Sequence, residues 1–272
     1  MKRIIVLLIS IWVFTSARSD ITDTIQVYSA SMKKNIPVAV IRPDSYDVSV
    51  KLPVVYLLHG YSGNYLDWIK KAPGFEKAAD QYNLIIVCPD GGYRSWYWDS
   101  PVDNDFMYET FVADELVKSI DGKYSTIMDR SGRAITGLSM GGHGGLYLAF
   151  KHQDIFGAAG SMSGGVDIRP FPNNWEMSKQ LGTYAEQPDR WENNTVINLL
   201  HLLTPNSLKI IVDCGTEDFF YEVNENLHRQ LLYRNIPHDY ITRPGAHNWN
   251  YWTNAVKFQM LFFSNYFNSP AN

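Results

Sequence analysis

A serine framed by glycines, Ser139 in the Gly-x-Ser-x-Gly segment 137–141, is the residue of this chain best placed for nucleophilic chemistry. A β-prone stretch, 133–136, precedes the segment, and a run of small residues that predicts a helix over 142–150 follows it. This strand-turn-helix pattern is typical of a nucleophile elbow, in which small flanking residues allow a sharp turn and leave the serine exposed at a helix N-terminus. There the backbone N–H of Met140 can donate to a developing oxyanion.

A serine hydroxyl needs a base within hydrogen-bond reach, and that base needs a partner that fixes its tautomer. In the chain order that accompanies such an elbow, the acid follows the serine and the histidine comes last. Asp218, in the loop beyond a predicted strand, is the favoured acid, and Glu217 beside it remains an alternative. Asp213 lies inside that strand, where a structural role is expected. His247, in the loop after the last predicted strand, is the expected base.

The second oxyanion donor should come from the loop after an earlier central strand, and the backbone N–H of Tyr61 fits that position, as Met140 fits the first. His59 is expected to shape this loop, and His143, one turn into the elbow helix, to pack or to form a hydrogen bond. The aromatic loop 93–98 suits a pocket wall that stacks on a sugar or an aromatic acid. The residues predicted to bind substrate are Trp96, Tyr97, Trp98 and Trp249.

The elements that must position these residues alternate between strands and helices, which predicts a mainly parallel sheet covered by helices on both faces. Two alternating segments around a Lys-Lys-Asn turn predict an antiparallel hairpin over 24–42, at the edge of the sheet. Buried strands are predicted at 52–58, 84–88, 133–136, 156–165, 209–215 and 238–242, and helices at 75–81, 106–120, 142–150, 224–233 and 252–267. The periodicity fades over 166–207, which predicts a partly helical, cap-like insertion over the site.

The chain has 272 residues, of which 45% are hydrophobic, and is expected to form one domain over 18–272. Residues 1–17, with Lys2 and Arg3 before an apolar run, predict a signal peptide and therefore a periplasmic or secreted protein. The run is too short to span a bilayer, so no stable membrane insertion is expected. Loss of Lys2 and Arg3 changes the formal net charge from −4 to −6, and nothing in this charge indicates a nucleic-acid partner.

Cys88 and Cys214, the two cysteines, each lie near the end of a predicted strand. In the strand order usual for such a fold, three strands separate them by roughly 19 Å. A disulfide needs Cα atoms within about 7 Å, so two free, buried thiols are predicted. Neither cysteine has the spacing of a metal site, and no metal or cofactor is expected.

Several motifs, in their order along the chain, resemble those of the esterase-D-like esterases of the α/β-hydrolase superfamily. They are Leu-Leu-His-Gly at 57–60, Ser-Trp-Tyr at 95–97, Asp-Ser-Pro at 99–101, Gly-Leu-Ser-Met-Gly-Gly-His-Gly-Gly at 137–145, Asp-Cys-Gly-Thr-Glu-Asp at 213–218 and Gly-Ala-His at 245–247. The resemblance implies an α/β-hydrolase fold, with Ser139, Asp218 and His247 as a catalytic triad. It also implies that Tyr61 and Met140 supply the oxyanion donors.

The chain is therefore expected to be an exported serine carboxylic-ester hydrolase that works through an acyl-enzyme. Its favoured substrates are acetyl or feruloyl esters of polysaccharide, because the aromatic loop suits sugar or aromatic rings. The alternatives are a tributyrin-type esterase of short lipid esters and an acyltransferase to a sugar hydroxyl. A hydrolase-like protein that binds carbohydrate without turnover is the alternative outside enzymes. The sequence leaves the oligomeric state open.

Overall fold

The computed structural model describes residues 22–269, so the predicted signal peptide at 1–17 lies outside the described residues. The strands are β1 Thr22–Ser29, β2 Lys34–Ile41, β3 Val54–Leu58, β4 Ile85–Pro89, β5 Arg133–Gly137, β6 Ala158–Met162, β7 Lys209–Gly215 and β8 Asp239–Arg243. They form one sheet in the order β1-β2-β4-β3-β5-β6-β7-β8. Strands β3 to β8 run parallel, whereas β2 pairs antiparallel with both β1 and β4. The mainly parallel sheet and its antiparallel edge hairpin are confirmed.

The helices are α1 Asp67–Lys71, α2 Lys77–Tyr82, α3 Tyr108–Thr110, α4 Val117–Lys123, α5 Met140–Lys151, α6 Ser178–Leu181, α7 Pro188–Asn193, α8 Tyr221–Tyr233 and α9 Trp249–Asn268. A π-helical stretch, Phe111–Leu116, joins α3 to α4. Short 3-10 helices cover Arg130–Gly132 and Val196–Leu202. The segment predicted as an insertion thus contains α6, α7 and the second 3-10 helix between β6 and β7, and its role as a cap stays a prediction.

The two faces of the sheet carry separate apolar clusters. Because side chains of a strand alternate between faces, Tyr56 of β3 belongs to the cluster that includes residues of α4, α5 and α8, while its neighbour Leu57 belongs to the cluster that includes residues of α1, α2 and α9. Both residues are fully buried. This two-sided burial explains why β3 is a continuous apolar run in the sequence.

Among the element boundaries that differ from the prediction by a few residues, two have clear local reasons. Helix α9 begins at Trp249, three residues earlier than predicted, because the side chain of Asn248 accepts a hydrogen bond from the backbone N–H of Tyr251 and caps the helix. Strand β6 ends at Met162, because Ser163 adopts a left-handed backbone conformation with φ 49°.

Cys88 and Cys214 are both free and buried. Cys88 lies on β4 and Cys214 on β7, and strands β3, β5 and β6 separate them. The prediction of two unpaired thiols is confirmed. In the part of the chain from 22 to 269, the helices are all too short or too polar to cross a bilayer.

Candidate active site

The turn between β5 and α5 holds Ser139 in a strained conformation, with φ 55° and ψ −116°. Two glycines make this turn possible, since a Cβ on Gly137 would lie 2.6 Å from the carbonyl oxygen of Leu58 and one on Gly141 would lie 2.6 Å from that of His59. Residues held in such sparsely populated φ/ψ regions are concentrated at functional sites. The turn has the nucleophile-elbow geometry that the sequence predicts.

Three side chains from three loops form one hydrogen-bonded chain. His247, after β8, places its Nε2 2.9 Å from Ser139 Oγ. Its Nδ1 lies 3.0 and 2.9 Å from the two carboxylate oxygens of Asp218, which follows β7. An ionised carboxylate only accepts, so Nδ1–H donates to Asp218 and leaves Nε2 free to accept the serine proton. This arrangement can generate a serine nucleophile.

Neither Glu217, the alternative acid, nor Asp213, for which a structural role is expected, forms a hydrogen bond with His247. Glu217 is exposed, and its backbone N–H donates to Gly245 O. Asp213 is fully buried in β7, where it accepts from the Tyr251 hydroxyl at 2.5 Å and from the Arg243 guanidinium. Burial raises the pKa of Asp213 from its ordinary value. Asp213 therefore ties β8 and α9 to β7 and does not contact the histidine of the site.

The backbone N–H groups of Tyr61 and Met140 have no protein acceptor within the described chain. The amides next to them do have one, since Ser62 N–H donates to Tyr93 O at 2.8 Å and Gly141 N–H donates to Leu138 O at 2.7 Å. Both free amides border Ser139, because Tyr61 lines the same cleft and Met140 is the next residue in the chain. Two unused donors beside a nucleophile can receive an oxyanion.

His59 fixes the loop that carries Tyr61. Its Nδ1–H donates to Gly60 O, and its Nε2 accepts from Gly91 N–H, both at 2.7 Å. The ring is buried, and this burial lowers the pKa of His59, which keeps the imidazole neutral and able to accept. His59 thus holds the loop after β3 to the loop after β4, which agrees with the prediction that it shapes the loop of Tyr61.

The aromatic loop does not line the cleft, and the prediction that Trp96, Tyr97 and Trp98 form a pocket wall is wrong. Each is at most 1% exposed. The Tyr97 hydroxyl donates to His59 O at 3.1 Å, and Trp98 Nε1–H donates to His143 Nε2 at 2.9 Å. These inward contacts place the three rings in the core that supports the site.

His143 links this core to the end of β6. It accepts from Trp98 on one ring nitrogen, and its Nδ1–H donates to Gly165 O at 3.0 Å. Complete burial lowers the pKa of His143 to about 4, so the ring is neutral at ordinary pH. A neutral ring with both nitrogens satisfied is structural, as the sequence predicts.

A cleft of about 380 Å³ opens at Ser139 and His247. Trp249 lines it, as predicted. The lining residues that sequence reasoning missed are Ser62, Gly63, Asp67, Lys71, Leu138, Trp175, Phe219 and Trp252. Phe219 has a local signal, since it follows Asp218 directly, whereas Trp175 lies in a segment without periodicity and offers none. Within residues 22–269, no cluster of three His, Cys, Asp or Glu side chains could hold a metal ion.

Comparison with known proteins gives consistent matches over most of the chain. Residues 29–262 match the family described as "Putative esterase". An "Acetyl esterase" from Caldicellulosiruptor saccharolyticus is 28% identical over 253 residues, which cover 85% of this chain and 94% of the relative. A "Diacylglycerol acyltransferase/mycolyltransferase Ag85B" from Mycobacterium leprae is 30% identical over 75% of this chain and 74% of its own length.

A solved structure of a "ferulic acid esterase" is also similar to this chain. Its TM-score is 0.77 at 28% identity, and the alignment covers 90% of this chain and 98% of that one. This similarity confirms the predicted α/β-hydrolase fold.

Proposed function

Because this chain belongs to the "Putative esterase" family and is an esterase, we propose that it is an exported serine hydrolase that removes acetyl or feruloyl groups from polysaccharide. The observation that carries the proposal is the hydrogen-bonded chain from Ser139 through His247 to Asp218. Export rests on the leader-like residues 1–17, and it implies a periplasmic or secreted location.

In the proposed reaction, Ser139 Oγ attacks the ester carbonyl carbon while His247 Nε2 takes the hydroxyl proton. The carbonyl oxygen becomes an oxyanion, which accepts hydrogen bonds from the N–H groups of Tyr61 and Met140. The C–O bond to the alcohol then breaks, and His247 returns its proton to the departing oxygen. Water, activated by the same imidazole, releases the acid and restores the serine. Asp218 holds the imidazole and stabilises its charged form throughout.

The substrate assignment is supported by the relatives and by the cleft. The names of two similar proteins describe an acetyl esterase and a ferulic acid esterase. The cleft combines aromatic rings, Trp175, Phe219 and Trp249, with the polar side chains of Asp67 and Lys71. Rings and polar groups together suit a substrate that joins an organic acid to a sugar.

The first experiment compares hydrolysis of 4-nitrophenyl acetate, 4-nitrophenyl butyrate and methyl ferulate by the protein without residues 1–17 and by its Ser139→Ala variant. We expect the variant to lose several orders of magnitude in kcat, with its fold unchanged by circular dichroism. Equal, slow rates for both proteins would refute the catalytic assignment. Sugar binding without turnover would then favour a carbohydrate-binding role.

The second experiment tests the polysaccharide assignment. Release of acetate or ferulate from acetylated and feruloylated xylan is compared with hydrolysis of tributyrin. We expect release from xylan to be the faster reaction. Comparable activity on tributyrin, with none on either xylan, would favour the lipid esterase.

Acyl transfer to a sugar hydroxyl is a second candidate, because the chain is 30% identical to an acyltransferase over three quarters of its length. Transfer and hydrolysis share the same acyl-enzyme and differ in the acceptor that attacks it. The two are separated by adding a sugar alcohol during turnover and measuring the ratio of new ester to free acid. Free acid as the sole product at high acceptor concentration would exclude the transferase.

A further inference from the structure

One end of the cleft is a wall of two stacked rings that leads directly to the histidine of the site. The rings of Trp175 and Phe219 are stacked, with centroids 5.8 Å apart and an interplanar angle of 23°. Phe219 in turn lies 4.1 Å from the His247 ring. Phe219 is 53% exposed although it is apolar, and Trp175 is half-buried. An exposed flat apolar surface beside a reactive side chain can pack against an apolar part of a bound ligand.

The backbone that carries Trp175 is held in a costly conformation. Trp175 and Glu176 both adopt left-handed φ angles, 48° and 54°, which residues other than glycine rarely adopt. Glu176 pairs with Arg94 at 3.6 Å and with Lys179 at 3.1 Å, which ties the turn to the body of the protein. Phe220 packs on the Trp175 ring at 5.2 Å. Strain maintained by surrounding contacts is characteristic of ligand clamps.

The other end of the cleft is polar and lies across the histidine. Trp252 stands between His247 and Trp249, with ring centroids 4.9 and 5.5 Å away respectively. Beyond it, Lys71 Nζ lies 5.4 Å from the Trp249 ring centre and 3.0 Å from the carboxylate of Asp67. A carboxylate, an ammonium and an indole can bind hydroxyl groups and the flat face of a sugar.

We propose that Trp175 and Phe219 form the acyl subsite of the cleft and select esters whose acid carries a planar aromatic ring. The inference rests on the proposed function, because it requires an ester to react at Ser139. The apolar end matches an aromatic acid, and the polar end at Asp67 and Lys71 matches the hydroxyl-rich alcohol. The segment 166–207 thereby contributes Trp175 as the determinant of acyl preference.

The test uses 4-nitrophenyl acetate and 4-nitrophenyl ferulate, which share one alcohol and differ in the acid. Trp175→Ala should lower kcat/KM for the ferulate roughly tenfold, the loss expected when one aromatic stacking partner is removed. Its kcat/KM for the acetate should change less than about twofold, because Phe219 lies between Trp175 and His247 and an acetyl group is too short to extend past it to Trp175. Trp175→Phe, which retains a ring, should recover most of the ferulate activity. Tyr233→Ala removes an equally aromatic but 84% exposed side chain of α8 and should alter neither ester.

A second pair of substrates, methyl ferulate and the feruloyl ester of a xylo-oligosaccharide, shares the acid and differs in the alcohol. Trp175→Ala should lower both equally if the wall binds the acid. A larger loss for the sugar ester would overturn the proposal and assign the wall to the alcohol. An equal loss on acetate and ferulate, or no loss on either, would also overturn it. The proposed function fails separately, if wild type and Ser139→Ala hydrolyse all of these esters at the same rate.

Discussion

The indole of Trp252 stands edge-on to the imidazole of His247, with ring centroids 4.9 Å apart and planes at 89°. The indole N–H donates to the hydroxyl of Ser163 at 3.1 Å, so Trp252 is itself fixed against the end of β6. Phe219 covers the imidazole from another direction at 4.1 Å. The ring that contacts Ser139 and Asp218 is thus held by aromatic neighbours as well as by its own hydrogen bonds.

Trp252→Phe keeps an aromatic ring beside His247 but removes the N–H that anchors it to Ser163. We expect kcat to fall roughly tenfold with little change in KM, because a looser imidazole meets the serine less often in the reactive geometry. Steady-state kinetics on 4-nitrophenyl acetate would check this. Phe258→Leu, on the same helix but 39% exposed, serves as the control. A rise in KM with kcat unchanged would show that Trp252 binds substrate and does not position the base.

Asp218→Asn and Glu217→Gln form a matched pair, since each replaces a carboxylate by an amide at adjacent positions. We expect Asp218→Asn to lower kcat by about 10³- to 10⁴-fold, because an amide no longer stabilises the required tautomer and charge of His247. Glu217→Gln should retain activity within about twofold, because the Glu217 side chain is exposed and does not contact the imidazole. The reverse ranking would make Glu217 the acid.

Folding stability should fall on acidification as His143 becomes protonated in the unfolded chain. Its pKa is lowered to about 4 in the folded protein by burial, below the ordinary value of 6.5. The unfolded chain therefore binds the proton first, and the contribution is complete above pH 6.5 and lost progressively towards pH 4. Its size is about 3 kcal/mol in the free energy of unfolding.

Urea unfolding between pH 4 and pH 7 measures this slope. His143→Gln should flatten it, although the variant is less stable at pH 7. His201→Gln, at an exposed position, should keep the wild-type slope. An unchanged slope in His143→Gln would assign the acid sensitivity to other groups, among them His59, whose pKa is also lowered by burial.

Gly144 in α5 leaves room for the ring of Tyr97, since a Cβ at this position would lie 2.4 Å from Tyr97 Cδ2. Gly144→Ala should therefore destabilise the protein by about 1–3 kcal/mol through overpacking of the core. Gly122→Ala, in α4 with no atom within 4 Å of the added methyl group, should be neutral or stabilising by about 0.5–1 kcal/mol. Equal unfolding midpoints for the two variants would contradict the tight contact.

The sequence predicted what depends on local order and missed what depends on distant contacts. The elbow around Ser139 and the loops of Asp218 and His247 follow from short motifs between strands, and the structure brings those three side chains together as that order predicts. The ring of Trp98 was misplaced because aromatic content does not say which side of a loop faces inward. The Trp98 ring faces inward because its indole N–H donates a hydrogen bond to His143, 45 residues further along the chain.

The substrate-facing side of the cleft was harder to predict for the same reason. Trp175 lines the cleft because the backbone turns there through a left-handed φ angle. A tryptophan in the sequence does not indicate such an angle. By contrast, β3, β4 and β7 are predicted to within two residues of their ends, because a strand buried on both faces must be largely apolar throughout. Only the packing of the complete chain determines which rings remain open to a ligand.

The bridge made by His59 between Gly60 and Gly91 has a kinetic consequence. A donor amide on a free loop would have to be recruited by each incoming ester, and part of the binding energy would be used to order it. Here one uncharged ring already joins the two loops, so we expect the amide of Tyr61 to hold its position before an ester arrives. We therefore expect the oxyanion to form at this end of the cleft without a preceding loop closure.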